Sequence, residues 1–183
     1  MSEKYKIIDS TYPHFVTFTV IGWIDIFSRE QYKEIMTDSL KFCILEKGLI
    51  LHAWVIMTNH VHLIISSENS KLNALVRDIK KFTSKQIINA IKQNSSESRK
   101  VWLLQMFQSN NYNQSLGQEY QFWKKGYHPV CLLTPHMMNQ RLNYLHENPV
   151  KSGIVWETWH YKYSSAVDYY TNRKGILPVD ILD

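Results

Sequence analysis

The stretch LILHAWVIMTNHVHLIISS, residues 49–67, contains the two apolar runs that decide the fold. The runs at 49–57 and 61–66 are rich in β-branched and aromatic residues, as expected of strands. Between them lies MTNH, in which Asn59 favours a turn. Two such runs joined by a short turn segment predict an antiparallel β-hairpin.

A further strand and a helix are predicted upstream of this hairpin. The run HFVTFTVI at 14–21 is typical of a strand, and Gly22 ends it. Ser28, followed by Gln31 three residues later, has the pattern of a capping box at a helix N-terminus. Apolar residues recur at helical spacing from there, and Gly48 is a suitable end for the helix.

Downstream of the hairpin, a long amphipathic helix is predicted over residues 71–92, with Ser70 as its N-cap. Its predicted apolar face consists of Leu72, Leu75, Ile79, Phe82, Ile87 and Ile91. Two polar segments then flank VWLLQMF, which we expect to be a short buried helix. Residues 94–118 are therefore interpreted as an insertion within a single domain. Short strand pieces are predicted at 120–123 and 130–133.

The last predicted helix begins at Thr134, the N-cap, with Pro135 in its first turn. We expect it to end near Asn148, because Pro149 disfavours helical conformation in the residue before it. The order strand, helix, strand, strand, helix, strand predicts an α+β fold. Specifically, it predicts a ferredoxin-like βαββαβ antiparallel sheet with both helices on one face and an additional C-terminal helix.

Composition limits the class of protein. The chain has 183 residues, of which 44% are apolar and 20% charged, which argues against disorder and fits one domain. No apolar run approaches the ~18 residues of a membrane span, and MSEKYKIIDS lacks the apolar core of a secretory signal. Cys43 and Cys131 are expected to be buried thiols. We therefore expect a cytoplasmic protein with no membrane partner.

The net charge of +5 and the 13% aromatic content are compatible with nucleic-acid binding. Arg77, Lys81 and Lys85 recur every four residues on the long helix, as expected of a stripe that follows phosphates. The alternative interpretation is an ordinary solvated helix face. The complete set of candidate DNA-binding residues is Arg77, Lys80, Lys81, Lys85, Trp123, Lys124 and Lys125, with Trp123 as a base-stacking residue.

The tripeptide HVH suggests a metal site. His60 and His62 are two residues apart in a predicted strand, so both imidazoles point to the same face while Val61 points to the other. Paired imidazoles are a natural beginning for a metal site, although two histidines on a half-exposed strand give the same pattern. A third histidine, such as His128 or His136, would complete a zinc site of a small hydrolase.

The sequence NYLHENPV in the last helix contains a candidate nucleophile. Tyr144 and Asn148 are four residues apart, so one lies above the other on the helix surface, in a stripe that also contains Arg141. A hydroxyl nucleophile would then lie one turn from an amide oxygen that can bind a hard cation. The alternative is a tyrosine at the edge of an amphipathic helix, which describes most helical tyrosines.

These segments together resemble a known family. NHVHLII, IKKFTSK, QFW, YLHENPVKSGIV and YKYSSA look like the corresponding segments of the single-tyrosine HUH transposases. The resemblance is strongest to the REP-associated tyrosine transposases, relatives of the IS200-like transposases, and extends over residues 14–170. The HVH pair alone is a weak signal, but its combination with Y-x-H-x-NPV about 80 residues later is specific. The insertion at 94–118 departs from the shortest relatives.

The resemblance implies roles for individual residues. His60 and His62 match the metal ligands, Asn148 matches a third polar ligand, and Tyr144 matches the nucleophile on a catalytic helix. The family cleaves one strand of single-stranded or hairpin DNA with a divalent cation, Mg²⁺ or Mn²⁺. It forms a 5′-phosphotyrosine and leaves a free 3′-hydroxyl, which rejoins DNA.

Two other functions remain open from the sequence. The first is an inactive DNA-binding relic or regulator with the same fold, which would bind DNA and never form a covalent adduct. The second is the small zinc hydrolase. The target sequence, and the choice between a monomer and a homodimer, are also left open.

Overall fold

Four strands and five α-helices make up the part of the chain that the computed structural model describes, namely residues 7, 9–69, 71–109 and 119–182. The strands are β1 His14–Thr19, β2 Leu49–Ile56, β3 His60–Ser67 and β4 Val130–Cys131. The α-helices are α1 Glu30–Lys47, α2 Leu72–Gln93, α3 Lys100–Ser109, α4 Pro135–Lys151 and α5 Ala166–Tyr170. Short 3₁₀ turns lie at Ile21–Trp23, Ile26–Ser28 and Thr158–His160.

The strands form one antiparallel sheet in the order β2-β3-β1-β4. This order follows from the predicted hairpin, with β1 inserted between β3 and the last strand, and it confirms the ferredoxin-like α+β fold. The last strand is shorter than expected, since β4 pairs with β1 only at Phe15 and His14. The piece predicted at 120–123 is not a strand, because only Trp123 forms a bridge, with Val20.

The two faces of the sheet are covered by different helices. Alternation along β1 sends Val16 and Phe18 to the face under α1 and α2, where both are fully buried. Phe15 points to the opposite face, where its ring contacts Tyr144 of α4. The sheet therefore lies between a layer of two helices and a single helix, and α4 is the element that approaches the histidine face of β3.

The long helix α2 is confirmed, with one error in its predicted apolar face. Phe82 is 51% exposed, whereas Thr83 is buried. Residues 79, 83 and 87 follow one another at four-residue spacing, so Thr83 occupies the inward position and Phe82 is turned outward. Ser70, the predicted cap, lies outside the described residues.

The interpreted insertion is described as far as residue 109. It contains α3, whose Leu103 and Phe107 are buried. The loop before α3 is held by Glu97, a buried carboxylate that accepts a hydrogen bond from the Tyr32 hydroxyl (3.1 Å) and pairs with Arg29 (2.8 Å). Residues 110–118 lie outside the described part. Within that part, no helix has both the length and the apolar character needed to cross a membrane.

Helix α4 continues to Lys151, so the prediction that it ends near Asn148 was wrong. Pro149 lies inside the helix and is buried, and packing there offsets the backbone hydrogen bond that a proline cannot donate. The final turn is closed by the amide of Ser152, which donates to Asn148 O, and by Ile154 N, which donates to Pro149 O. Asn148 is consequently held in helical geometry one turn after Tyr144.

Candidate active site

The two histidines of β3 form the base of the candidate site. Their ring centroids lie 4.6 Å apart, because both side chains project from the same face of the strand. The register of β1 against β3 places Thr17 opposite His62 and Thr19 opposite His60. His62 is buried and His60 is half-buried, so the pair lies at the boundary between the core and solvent.

Each histidine is oriented by a hydrogen bond at Nδ1. The hydroxyl of Thr17 lies 2.8 Å from Nδ1 of His62, and the side-chain oxygen of Asn59 lies 2.7 Å from Nδ1 of His60. The buried Nε2 of His62 has no hydrogen-bond partner in the described part of the chain. Histidine metal ligands characteristically have one ring nitrogen held in this way and the other left for the metal.

Burial keeps both rings neutral. Loss of hydration is the main cause that lowers the pKa of His62 to about 3, and the nearby charges of His60 and Arg141 act in the same direction. Burial also lowers the pKa of His60. At neutral pH both imidazoles are therefore in the form that can bind a cation.

Tyr144 lies beside this pair on α4. Its ring centroid is 5.3 Å from that of His62, with the rings edge to face, and 6.0 Å from that of Phe15. The side chain remains 43% exposed, so its hydroxyl is accessible to a large substrate. A packed ring and an accessible hydroxyl are the arrangement expected of a positioned nucleophile.

Asn148 lies one turn further along the helix and is half-buried. Its amide nitrogen donates a hydrogen bond to the backbone oxygen of Tyr144 at 2.8 Å. That bond fixes the side-chain amide and leaves its oxygen as the atom that can accept a hydrogen bond or bind a cation. The helical spacing predicted from the sequence thus brings Tyr144, Asn148 and His62 to one region of the molecule.

Arg141 has no role assigned from the sequence beyond its place in a helix stripe, and the structure places it at the site. Its guanidinium carbon lies 5.3 Å from the centre of the Phe15 ring, and its charge acts on His62. Within the described residues, no carboxylate forms an ion pair with it. Arg141 therefore brings a permanent positive charge to the region between α4 and the sheet.

A buried network fixes α4 on the sheet. Nε2 of His146 lies 2.9 Å from the hydroxyl of Ser165, and that hydroxyl also accepts a hydrogen bond from the backbone N–H of Trp54 at 2.9 Å. The other ring nitrogen of His146 lies 3.3 Å from the hydroxyl of Tyr170. His146 thus connects α4 to β2 and to the C-terminal segment. This residue is part of the YLHENPV motif, but the sequence did not indicate its structural role.

The basic residues predicted to bind DNA are in two different environments. Arg77, Lys81 and Lys85, the α2 stripe, are exposed on the outer side of α2. Lys80 is different, since its ammonium donates to the backbone oxygens of Lys124 (3.0 Å) and Gly126 (2.7 Å). Burial lowers the pKa of Lys80 to about 8, and its geometry is that of a brace for the 124–126 loop.

Trp123 does not fit the predicted stacking role. It is only 5% exposed, and its indole N–H donates to the hydroxyl of Thr83 at 3.1 Å. Its ring packs against Phe18 and Phe122 in the core, so neither ring face is available to a base. The prediction failed because a tryptophan followed by lysines occurs both at the edge of a hydrophobic core and on a nucleic-acid-binding surface. The sequence alone does not distinguish the two.

The described residues contain no ligand cluster of the kind that the zinc-hydrolase alternative requires. In the part of the chain that the structure describes, no three His, Cys, Asp or Glu side chains come close enough to hold a metal ion together. His128 and His136 therefore do not complete a cluster with His60 and His62. The residue of α4 that packs against the histidine pair is Tyr144, whose ring lies edge to face with that of His62.

Comparison with known proteins identifies a family and a similar fold. The sequence model of the family described as "Transposase IS200 like" matches residues 8–148. The fold is similar to a REP-associated tyrosine transposase solved with a REP hairpin, with a TM-score of 0.65, 16% identity, and coverage of 100% of this chain and 94% of that one. A candidate transposase from Deinococcus radiodurans gives a TM-score of 0.47 at 15% identity, covering 74% of this chain and 88% of that one. The search of curated proteins gave no match.

Proposed function

The chain belongs to the family of IS200-like transposases, and from that premise we propose that it cleaves and rejoins one strand of single-stranded or hairpin DNA through a 5′-phosphotyrosine at Tyr144. The observation that carries the proposal is the 5.3 Å approach of the Tyr144 ring to His62, whose neighbour His60 faces the same way. This approach supports a site in which one phosphate contacts both the hydroxyl of Tyr144 and a cation held by the two histidines. The solved relative with a bound REP hairpin supports hairpin DNA as the substrate class.

The residues present fit a divalent cation. His60 and His62 would hold it through Nε2, with the amide oxygen of Asn148 as a third ligand. Nε2 of His62 supports this assignment, because it has no hydrogen-bond partner among the described residues. A bound Mg²⁺ or Mn²⁺ would neutralise charge on the scissile phosphate. Imidazole ligands favour Mn²⁺ over Mg²⁺.

Residues of the chain carry out the attack on phosphorus and position the strand. The oxygen of Tyr144 attacks phosphorus and forms a Tyr–O–P bond while the bond from phosphorus to the 3′ oxygen breaks, leaving a 3′-hydroxyl. No carboxylate of the described residues is bonded to the tyrosine hydroxyl, and we therefore assign its proton to water. Arg141 attracts the anionic strand, and the edge contact with Phe15 limits the positions of the Tyr144 ring.

Metal dependence is the property that tests this function. The protein is incubated with end-labelled hairpin oligonucleotides carrying randomised flanks, over a series of Mn²⁺ concentrations. We expect cleavage that requires the cation and is lost in His60→Ala and His62→Ala, since loss of even an outer-shell partner typically costs about 10–100-fold. Asn148→Ala should be affected less, because an amide oxygen is a neutral ligand.

A matched control separates metal binding from folding. His14 is fully buried on β1 and projects from the opposite face of the sheet, so His14→Ala perturbs packing without touching the site. Cleavage that persists in both site variants would disprove the metal assignment. Binding of hairpins by the wild type without any cleavage would instead favour the inactive relic.

A further inference from the structure

Trp23 is an exposed aromatic residue held in an unfavourable backbone conformation. Its side chain is 58% exposed, and its φ of 57° lies in the left-handed region, which is unfavourable for a residue with a side chain. The preceding Gly22 has a φ of 63°, so two consecutive residues adopt this conformation. Strain of this kind persists only when neighbouring structure enforces it, and it is concentrated at functional sites.

The surroundings of Trp23 enforce this conformation and connect it to the candidate active site. The side-chain nitrogen of Asn59 donates to the backbone oxygen of Trp23 at 3.3 Å, while the side-chain oxygen of the same Asn59 orients His60. The ring of Trp23 meets the ring of His60 edge to face, with centroids 6.3 Å apart. One asparagine therefore bonds both the ring of the candidate metal ligand His60 and the backbone of Trp23.

Lys124 supports the indole from a different segment. Its ammonium lies 4.3 Å from the centre of the Trp23 ring, and its backbone N–H donates to Thr19 O at 2.8 Å. A cation against an aromatic face leaves the other face for a stacking partner. The chemistry presented is an aromatic plane with an adjacent positive charge, which is the combination that binds an unpaired nucleotide.

We propose that Trp23, supported by Lys124, is a stacking platform for one unpaired base of the DNA strand whose phosphate is bound at His60 and His62. This inference rests on the proposed function and adds the residue that fixes the register of the strand. A base stacked on Trp23 sets which phosphate reaches Tyr144. Stacking tolerates all four bases, so the platform positions the strand rather than reading its sequence.

The test is a double-mutant cycle between protein and DNA. Tyr144→Phe protein is used throughout so that the strand stays intact, and binding is measured to a hairpin with a single-stranded oligothymidylate flank. An abasic nucleotide is placed at each flank position in turn. We expect one position at which the abasic change weakens binding about 5- to 150-fold in the Tyr144→Phe protein, and hardly at all once Trp23→Ala is added.

Two further variants serve as controls. Trp23→Phe retains an aromatic plane and should recover most of the position-specific effect. Trp156 is a 94% exposed tryptophan outside the site, so Trp156→Ala should leave the abasic profile unchanged.

Each remaining result contradicts the inference in a recognisable way. An abasic penalty that is equal with and without Trp23 would refute the platform and leave strand binding intact. Failure of every oligonucleotide to bind, with the protein folded by circular dichroism, would refute the platform and the proposed function together. If Trp23→Phe and Trp23→Ala both lose binding to every oligonucleotide, whichever flank position is abasic, then the residue maintains local structure and does not stack.

Discussion

Thr17 is the residue on which the orientation of His62 depends. Its hydroxyl holds Nδ1 of that ring at 2.8 Å, directly across the β1–β3 pairing. The other ring nitrogen, Nε2, is buried and has no hydrogen-bond partner among the described residues. A histidine that is free to rotate would lose part of its affinity for a cation even though the ligand itself is unchanged.

We predict that Thr17→Val weakens Mn²⁺ binding and Mn²⁺-dependent cleavage by about 10–100-fold. Valine keeps the shape of threonine and removes only the hydrogen bond, so the fold should persist. Isothermal titration with Mn²⁺ checks the prediction. Thr19→Val is the matched control, because Thr19 lies on the same face of β1 and forms no side-chain hydrogen bond with either histidine. Equal affinities for Mn²⁺ in the two variants would show that Thr17 does not support metal binding.

The difference between His62 and Trp23 shows what the sequence reveals at this scale. Two histidines separated by one residue are close in any strand, so their proximity follows from the sequence alone. Trp23 and Lys124 are far apart in the sequence and meet only because the chain turns at Gly22 and the 124–126 loop returns to β1. No local pattern encodes that meeting, so the sequence alone gives no signal for Trp23.

At the scale of elements, the placement of α4 depends on His146. The imidazole is fully buried between the helix and the segment that carries Ser165, and burial lowers its pKa to about 3. In the unfolded chain a histidine has a pKa of about 6.5. Between these two values the unfolded chain binds a proton that the folded chain does not.

We therefore predict that the free energy of unfolding falls as the pH drops from about 6.5 toward 3, by up to about 1.4 kcal/mol per pH unit for this one group. Above pH 6.5 neither state binds the proton, and the contribution is constant. Urea unfolding of the wild type and of His146→Gln at a series of pH values measures the effect. The variant has no ionisable group at this position and should show a flatter dependence. Identical slopes would mean that His146 is protonated in the folded protein.

The elements themselves were predicted where periodicity is strong and mispredicted where packing decides. The hairpin and α2 follow from runs of apolar residues at the expected spacing. The end of α4 did not, because the burial of Pro149 overrides its local preference. The hydrophobicity of Phe82 likewise predicts a core position that the structure gives to Thr83. The buried Thr83 satisfies its hydroxyl by donating a hydrogen bond to Ile79 O at 2.7 Å.

The α2 stripe gives a prediction at this same scale. Replacing Arg77, Lys81 and Lys85 by glutamine should reduce DNA affinity. The slope of log association constant against log salt concentration should become less negative, by about 0.7 for each phosphate of a single strand that the stripe neutralises. Discrimination between hairpins should change little, because phosphate contacts position DNA without reading it. Binding measured from low to high salt checks this. An unchanged salt dependence would show that the stripe is an ordinary solvated helix face.

In the whole molecule, the sheet separates two candidate DNA surfaces. The α2 stripe lies in the two-helix layer, whereas Tyr144 and the histidines lie on the opposite face under α4. The loop held by Lys80, with Lys124 in it, lies along β1 between them. A single hairpin that contacts both surfaces would therefore have to reach both faces of the sheet.

Covalent capture of the cleaved strand tests whether Tyr144 is the nucleophile. Protein is mixed with a hairpin labelled on the 3′ side of the scissile phosphate, in Mn²⁺, and analysed by denaturing electrophoresis and peptide mapping. The account predicts label on the protein band, mapped to Tyr144, and its complete loss in Tyr144→Phe, which keeps the ring and its contacts with His62 and Phe15. Label retained by Tyr144→Phe at the wild-type level, or free cleaved DNA with no adduct in rapidly quenched wild-type reactions, would contradict it.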